Sequence, residues 1–209
     1  MDMDLFFAME ILGTIAFAFS GAMTAIEKKM DIFGVAILGM TTSVGGGIIR
    51  DLILGNTPPA AFRRPVYALT GIAVSLLLFI PSVRKLMDRT EGFADILMLL
   101  MDTVGLGVFT VAGVETAIAT QPGSGPFLAV FVGVLTGVGG GVLKDLFAGV
   151  TPSIFVKHFY ATASLIGAIA YLVIWHYIGQ SAAMIVCVAL VVALRLLAAI
   201  YHWNLPVAK

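Results

Sequence analysis

Residues 45–58 read GGGIIRDLILGNTP, and residues 139–152 read GGGVLKDLFAGVTP. At an offset of 94, eight of the fourteen positions are identical, and Ile48/Val142, Ile49/Leu143 and Arg50/Lys144 are conservative exchanges. Upstream, Gly39 matches Gly133, and downstream Arg63 matches Lys157. The stretch ahead of each copy aligns more loosely, Leu12-Gly13-Thr14-Ile15 with Met101-Asp102-Thr103-Val104, at an offset of 89. The loop Gln121-Pro122-Gly123-Ser124-Gly125-Pro126 then absorbs the five-residue difference. The chain therefore reads as two related halves.

Each copy of the motif ends an apolar run. Seven such runs cover about 5–26, 32–54, 65–81, 95–119, 126–148, 158–178 and 181–202. Most reach the ~17–25 residues that a membrane-spanning helix needs. The third is the shortest, stopped by Pro81. Of the 209 residues, 60% are hydrophobic and 11% charged, with a mean hydropathy of +1.05. Roughly 25% charge is usual where water covers the surface, so here lipid is the solvent. The runs do not alternate in hydrophobicity as barrel strands do. An all-α membrane protein follows, with repeat one at about 5–81, repeat two at about 95–178 and an extra helix at about 181–202, all in a single transmembrane domain over 1–209.

Three spans per repeat is an odd number, so the second repeat enters the membrane from the opposite side. Such inverted pairs build many transporters and some channels. Basic residues set the orientation. Arg63 and Arg64 fall on one side, against Lys28, Lys29, Arg84, Lys85, Arg89, Lys157 and Lys209 on the other. The C-terminus is expected in the cytoplasm and the N-terminus outside. Met1-Asp2-Met3-Asp4 is acidic where a cleavable signal is basic, and no small-residue cleavage site follows. The first run is therefore expected to stay as a span.

Lys+Arg and Asp+Glu both number 12, and no basic cluster interleaves with aromatics, so no nucleic-acid partner is expected. Cys187 is the sole cysteine, and His158, His176 and His202 lie far apart. No metal and no resident cofactor are expected, because structural and catalytic zinc needs three or four converging ligands. The glycines are followed by Ile-Ile-Arg-Asp or Val-Leu-Lys-Asp rather than Gly-Lys-Ser/Thr, which argues against a phosphate loop. Neither a Ser/His/Asp set nor HExxH is present, so the chain is not read as an enzyme.

What the repeated motif does admits two physical readings. Three glycines in succession cost ~1 kcal/mol each relative to alanine as helix formers. They permit a kink and loosen the hydrogen-bond ladder, and freed carbonyls survive in lipid only against protein or a water-filled path. Gly45, Gly46, Gly47, Gly139, Gly140 and Gly141 then bring two breaks together at mid-membrane. The same residues also permit close helix packing, with Gly133, Gly137 and Gly141 at four-residue spacing. Arg50, Asp51, Lys144 and Asp145 follow within a turn. A charge in a span costs ~2.5–3.5 kcal/mol, so these either face the interior and bridge to the other repeat or snorkel from a helix end. Thr42, Ser43 and Thr136 either line a polar path or bond back to their own helices. Glu10 and Glu115 are placed near the outer interface. Asp102 and Arg195 lie deeper, as a mutually neutralising pair or as functional groups.

Two copies of GGG-x-x-(R/K)-D, each followed by G-x-T-P, in a seven-span chain resemble the prokaryotic trimeric intracellular cation (TRIC) channels. These belong to a wider bacterial two-repeat membrane family, some members of which are linked to glycine transport. The resemblance covers about residues 5–203. It implies a homotrimer in the bacterial or archaeal inner membrane, with a potassium-permeable pore in each subunit lined by glycine-kinked spans two and five. Arg50 and Lys144 would stand beside that pore, with Asp51 and Asp145 as partners. Animal relatives carry a phosphoinositide-binding lysine loop at this kink; Gly-Gly-Gly-Val-Leu-Lys stands there in this chain. The alternative is a secondary transporter for glycine or another small amino acid, since a zwitterion suits paired acidic and basic groups.

Overall fold

The computed structural model describes residues 3–83, 92–156 and 159–203. His158 and five of the basic residues used for orientation, Arg84, Lys85, Arg89, Lys157 and Lys209, lie outside them. The described residues form helices α1 (Met3–Glu27), α2 (Ile32–Ile53), α3 (Ala60–Arg63), α4 (Val66–Phe79), α5 (Phe93–Thr120), α6 (Pro126–Phe147), α7 (Ser153–Val156), α8 (Tyr160–Ile178) and α9 (Gln180–Ile200).

Helix boundaries follow local chemistry. Asp31 accepts a hydrogen bond from the Gly34 amide at 2.7 Å and starts α2. Pro126 occupies the first turn of α6, where its missing N–H is harmless. Gly179, at φ +80, ends α8 and begins α9. Six of these helices are long and apolar enough to cross a bilayer. The third expected span is shorter than the sequence suggests. α4 has 14 residues, or ~21 Å at 1.5 Å per residue, against a hydrocarbon core of ~30 Å. Pro65 caps it, and the short helix α3 precedes it.

The two halves pack alike. α1 lies against α2 and α4, α5 lies against α6 and α8, and α2 crosses α6 at the centre. α9 covers α5 and α8. Glycine environments fix the equivalence of the halves. A Cβ on Gly21 would meet the Thr42 hydroxyl and the Gly39 backbone, and one on Gly113 would meet the Thr136 hydroxyl and the Gly133 backbone. Gly21 therefore corresponds to Gly113, an offset of 92. The offset of 89 expected for the first spans is corrected accordingly.

The glycine triplets interrupt neither helix. α2 and α6 remain α-helical through Gly45–Gly47 and Gly139–Gly141, so the expected break with freed carbonyls is absent. The triplets form the helix crossing instead. A Cβ on Gly46 would collide with the Thr136 carbonyl oxygen, and one on Gly140 with the Thr42 carbonyl oxygen. Gly139 lies on the Gly46 backbone, Gly45 on Leu143, and Gly141 under the Tyr160 hydroxyl.

Candidate functional site

Each motif's charged pair ends its helix inside a cluster of partners. In the first half, Arg50 Nε donates to Asp51 Oδ1 at 2.8 Å, and Nη1 lies 3.4 Å from Glu10 Oε1. The Tyr67 hydroxyl donates to Glu10 from the start of α4. In the second half, Lys144 Nζ lies 3.1 Å from Asp102 Oδ1 and 3.9 Å from Asp145 Oδ1. It also donates to Ser20 Oγ at 3.0 Å, reaching the other repeat through α1. Glu10, Arg50, Asp51, Asp102, Lys144 and Asp145 are all buried, so none snorkels. Glu10 thus belongs to the interior cluster. Asp102 pairs with Lys144 rather than with Arg195, whose guanidinium lies over the Tyr160 ring at 4.7 Å.

The rest of the motif secures the chain after the charge. Asp51 Oδ2 accepts from the Ala60 amide at 2.7 Å, and Asp145 Oδ2 accepts from the Ser153 amide at 2.6 Å. Gly55 and Gly149 turn the backbone at φ +74 and +68, where a side chain is disfavoured. Each aspartate therefore fastens the short helix beyond the Thr-Pro step while it faces its cation.

The clusters sit at opposite ends of a central layer. Glu10 and Ser20 are ten residues apart on α1, ~15 Å along its axis. Between them Phe17 stacks on Phe109, with ring centroids 5.3 Å apart. Toward Arg50 lies a cavity of about 30 Å³ lined by Glu10, Thr14, Ser43, Gly47, Arg50 and Tyr67, among others. That is room for a water or two. Toward Lys144 lies a chamber of about 470 Å³, whose walls include Asp95, Asp102, Lys144, Asp145, Ser153 and Arg195. Of the hydroxyls singled out in the sequence, Ser43 reaches the smaller cavity. Thr42 and Thr136 each bond back to their own helix at 2.6 Å, to Leu38 O and Val132 O. Glu115 accepts from Tyr171 and Gln180, binding α9 to α5 and α8.

Sequence reasoning missed Tyr67, Ser20, Phe17, Phe109 and Tyr160. A signal existed for the phenylalanines: Glu10, Gly13, Phe17 and Gly21 recur at the same spacing as Asp102, Gly105, Phe109 and Gly113.

A family model described as glycine transporter matches residues 7–82 and 99–176, one match per half at the same stagger of 92. The chain belongs to this family. Among curated UPF0126 relatives, the inner membrane protein YadS of Escherichia coli is 34% identical over 201 residues, covering 96% of this chain and 94% of that protein. The UPF0126 membrane protein of Deinococcus radiodurans is 40% identical over 162 residues, covering 77% of this chain and 72% of the relative. Solved structures match this UPF0126 chain over nearly its whole length. A prokaryotic TRIC channel in 0.5 M KCl superposes with a TM-score of 0.88 at 32% identity, covering 98% of this chain and 100% of that one. The TRIC orthologue from Rhodobacter sphaeroides does so with a TM-score of 0.82 at 34% identity, covering 95% and 98%. The UPF0126 chain is a multi-pass membrane protein with the TRIC channel fold.

Proposed function

We propose that this protein is a monovalent-cation channel, permeable to potassium, that works as a homotrimer with a pore in each subunit. The pore runs from the Arg50 cavity past the Phe17–Phe109 layer and the α2–α6 crossing into the Lys144 chamber. In this reading α3 and α4 complete a seventh span, the two three-helix repeats are inverted, and the Lys144 end faces the cytoplasm.

The observation that carries the reading is the charge of the two clusters. The two spaces are lined by six carboxyls, Glu10, Glu27, Asp51, Asp95, Asp102 and Asp145, against four cations, Lys28, Arg50, Lys144 and Arg195. A path lined this way favours cations although each motif presents a base, because low-dielectric walls concentrate the field of the excess sign. The likeness to TRIC cation channels at 32–35% identity supports it.

The test is planar-bilayer recording of the purified protein in asymmetric potassium chloride. Discrete currents reversing near the potassium equilibrium potential are expected. Silent bilayers from a preparation that takes up labelled glycine saturably into liposomes would replace the channel with a carrier.

A further inference from the structure

Each motif is followed by a four-residue helix, α3 after the first and α7 after the second. Asp51 Oδ2 accepts from the amide of Ala60, the first residue of α3, and Asp145 Oδ2 from that of Ser153, the first residue of α7. Counted from those amides, Phe62 and Phe155 stand at the same position, two residues on. They are 67% and 74% exposed, and neither short helix contains a buried residue. Each helix also borders a space in the protein. Ala60 and Ala61 line the Arg50 cavity, and Ser153 and Val156 line the Lys144 chamber. A basic residue follows each phenylalanine within two positions, Arg63 and Arg64 in one repeat and Lys157 in the other.

We propose that α3 and α7 dock on the phospholipid bilayer, with Phe62 and Phe155 seated where headgroups meet acyl chains, and that Asp51 and Asp145 transmit the position of these helices to Arg50 and Lys144. A helix of four residues leaves most of its amides and carbonyls without partners of its own. Hydrocarbon does not tolerate such groups. At the boundary water reaches the backbone while an aromatic ring enters the acyl chains, and long basic side chains beside the ring extend back to water. Each aspartate is the link because its two oxygens serve different elements. Asp51 Oδ1 receives Arg50 Nε at 2.8 Å, and its Oδ2 receives the Ala60 amide at 2.7 Å. Asp145 Oδ1 lies 3.9 Å from Lys144 Nζ, and its Oδ2 receives the Ser153 amide at 2.6 Å. A change in bilayer thickness that moves a seated ring therefore moves the carboxylate against its cation, together with a wall of the adjoining space. That the two seats lie at opposite faces of the membrane rests on the inverted repeats proposed above; the docking of each helix does not.

The intact protein in phosphatidylcholine vesicles tests both parts. For the seat, Phe62→Trp and Phe155→Trp are each made in a Trp175→Phe/Trp203→Phe background, which leaves a single indole. If that background does not fold, the added quenching of each variant over the native tryptophans is read instead. Phosphatidylcholine brominated near the top of its acyl chain should quench each indole several-fold more than lipid brominated near the chain end. Absent quenching puts the ring against another copy of the chain or in water, and stronger quenching by the deep bromines puts it in the hydrocarbon core; either overturns the seat. For the link, a water-soluble methanethiosulfonate labels Thr24→Cys, which lines the chamber, in vesicles of increasing acyl-chain length. The labelling rate should change several-fold across the series, and Phe155→Ala should flatten that change. Phe127→Ala is the control, because this ring is 81% exposed at the opposite end of α6 from Asp145; the dependence should persist. A rate indifferent to chain length, or a dependence that Phe155→Ala leaves intact, overturns the link. Neither readout needs a current, so failure here and failure of the channel reading are told apart.

Discussion

Lys144 and Arg50 occupy equivalent positions but hold their charge differently. Arg50 keeps a close carboxyl on its own helix, Asp51 at 2.8 Å, with Glu10 as the looser contact at 3.4 Å. For Lys144 the order is reversed: Asp102 on the neighbouring helix is close, at 3.1 Å, and Asp145 stands off at 3.9 Å. Removing one partner of a buried pair costs ~3–5 kcal/mol. Asp102→Asn should lose an amount in that range, and Glu10→Gln less, because Asp51 still holds Arg50. Thermal unfolding in detergent checks the order; equal losses would show that the two clusters hold their charge alike. Lys144→Ala leaves Asp102 and Asp145 facing the chamber without their cation. In bilayers this should change unitary conductance or open probability, and unchanged single-channel currents would remove Lys144 from the conduction path. The sequence made both cations visible because they sit inside a repeated motif. It hid their cross-helix partners, since nothing in the spacing of Glu10 or Asp102 says which base each will face.

At the scale of the helix, the glycine triplets show why a motif can be seen in the sequence and still leave two roles open. Glycine weakens a helix and also lets two helices touch, and the sequence contains no term for the neighbour. With α2 and α6 crossing at Gly46 and Gly140, close approach is the role the structure supports. Gly46→Ala and Gly140→Ala should each cost ~1–3 kcal/mol as overpacking, since each new methyl would enter the opposite backbone. Gly47→Ala is the control. Its nearest neighbour is the Arg50 Nη2 atom at 3.9 Å, so it should be neutral or gain up to ~1 kcal/mol of helix propensity. Urea or thermal unfolding of the three variants checks this, and a Gly47→Ala loss as large as the others would contradict the crossing. The register of the first spans failed for a related reason. A slip of three residues, from 92 to 89, turns a helix by only ~60° from its original face. In an apolar span with few polar landmarks, the wrong register keeps nearly the same pattern.

Across the whole molecule the duplication is close to symmetric in its helices but not in its spaces. Equivalent clusters border a cavity of about 30 Å³ at the Arg50 end and a chamber of about 470 Å³ at the Lys144 end. Phe17 and Phe109 are stacked between them, 1% and 6% exposed. Two equivalent halves can hold unequal spaces because α9 belongs to neither repeat and contributes Arg195 to the wall of the larger one. On the proposed path this arrangement predicts a conformation accessible from the Lys144 end and closed at the aromatic layer, and cysteine accessibility tests it directly. Thr24 lines the large chamber and Thr14 the small cavity, and the native Cys187 is fully buried and stays silent. A water-soluble methanethiosulfonate should label Thr24→Cys quickly and Thr14→Cys slowly when it is applied from the Lys144 end. Adding Phe17→Ala removes one ring of the layer. Thr14→Cys labelling from that end should then accelerate toward the Thr24→Cys rate, while labelling of Thr24→Cys stays the same. If Thr14→Cys already reacts as fast as Thr24→Cys with both rings present, neither the aromatic layer nor the α2–α6 crossing is the barrier, and any closure must lie beyond Thr14, on the far side of the Arg50 cavity.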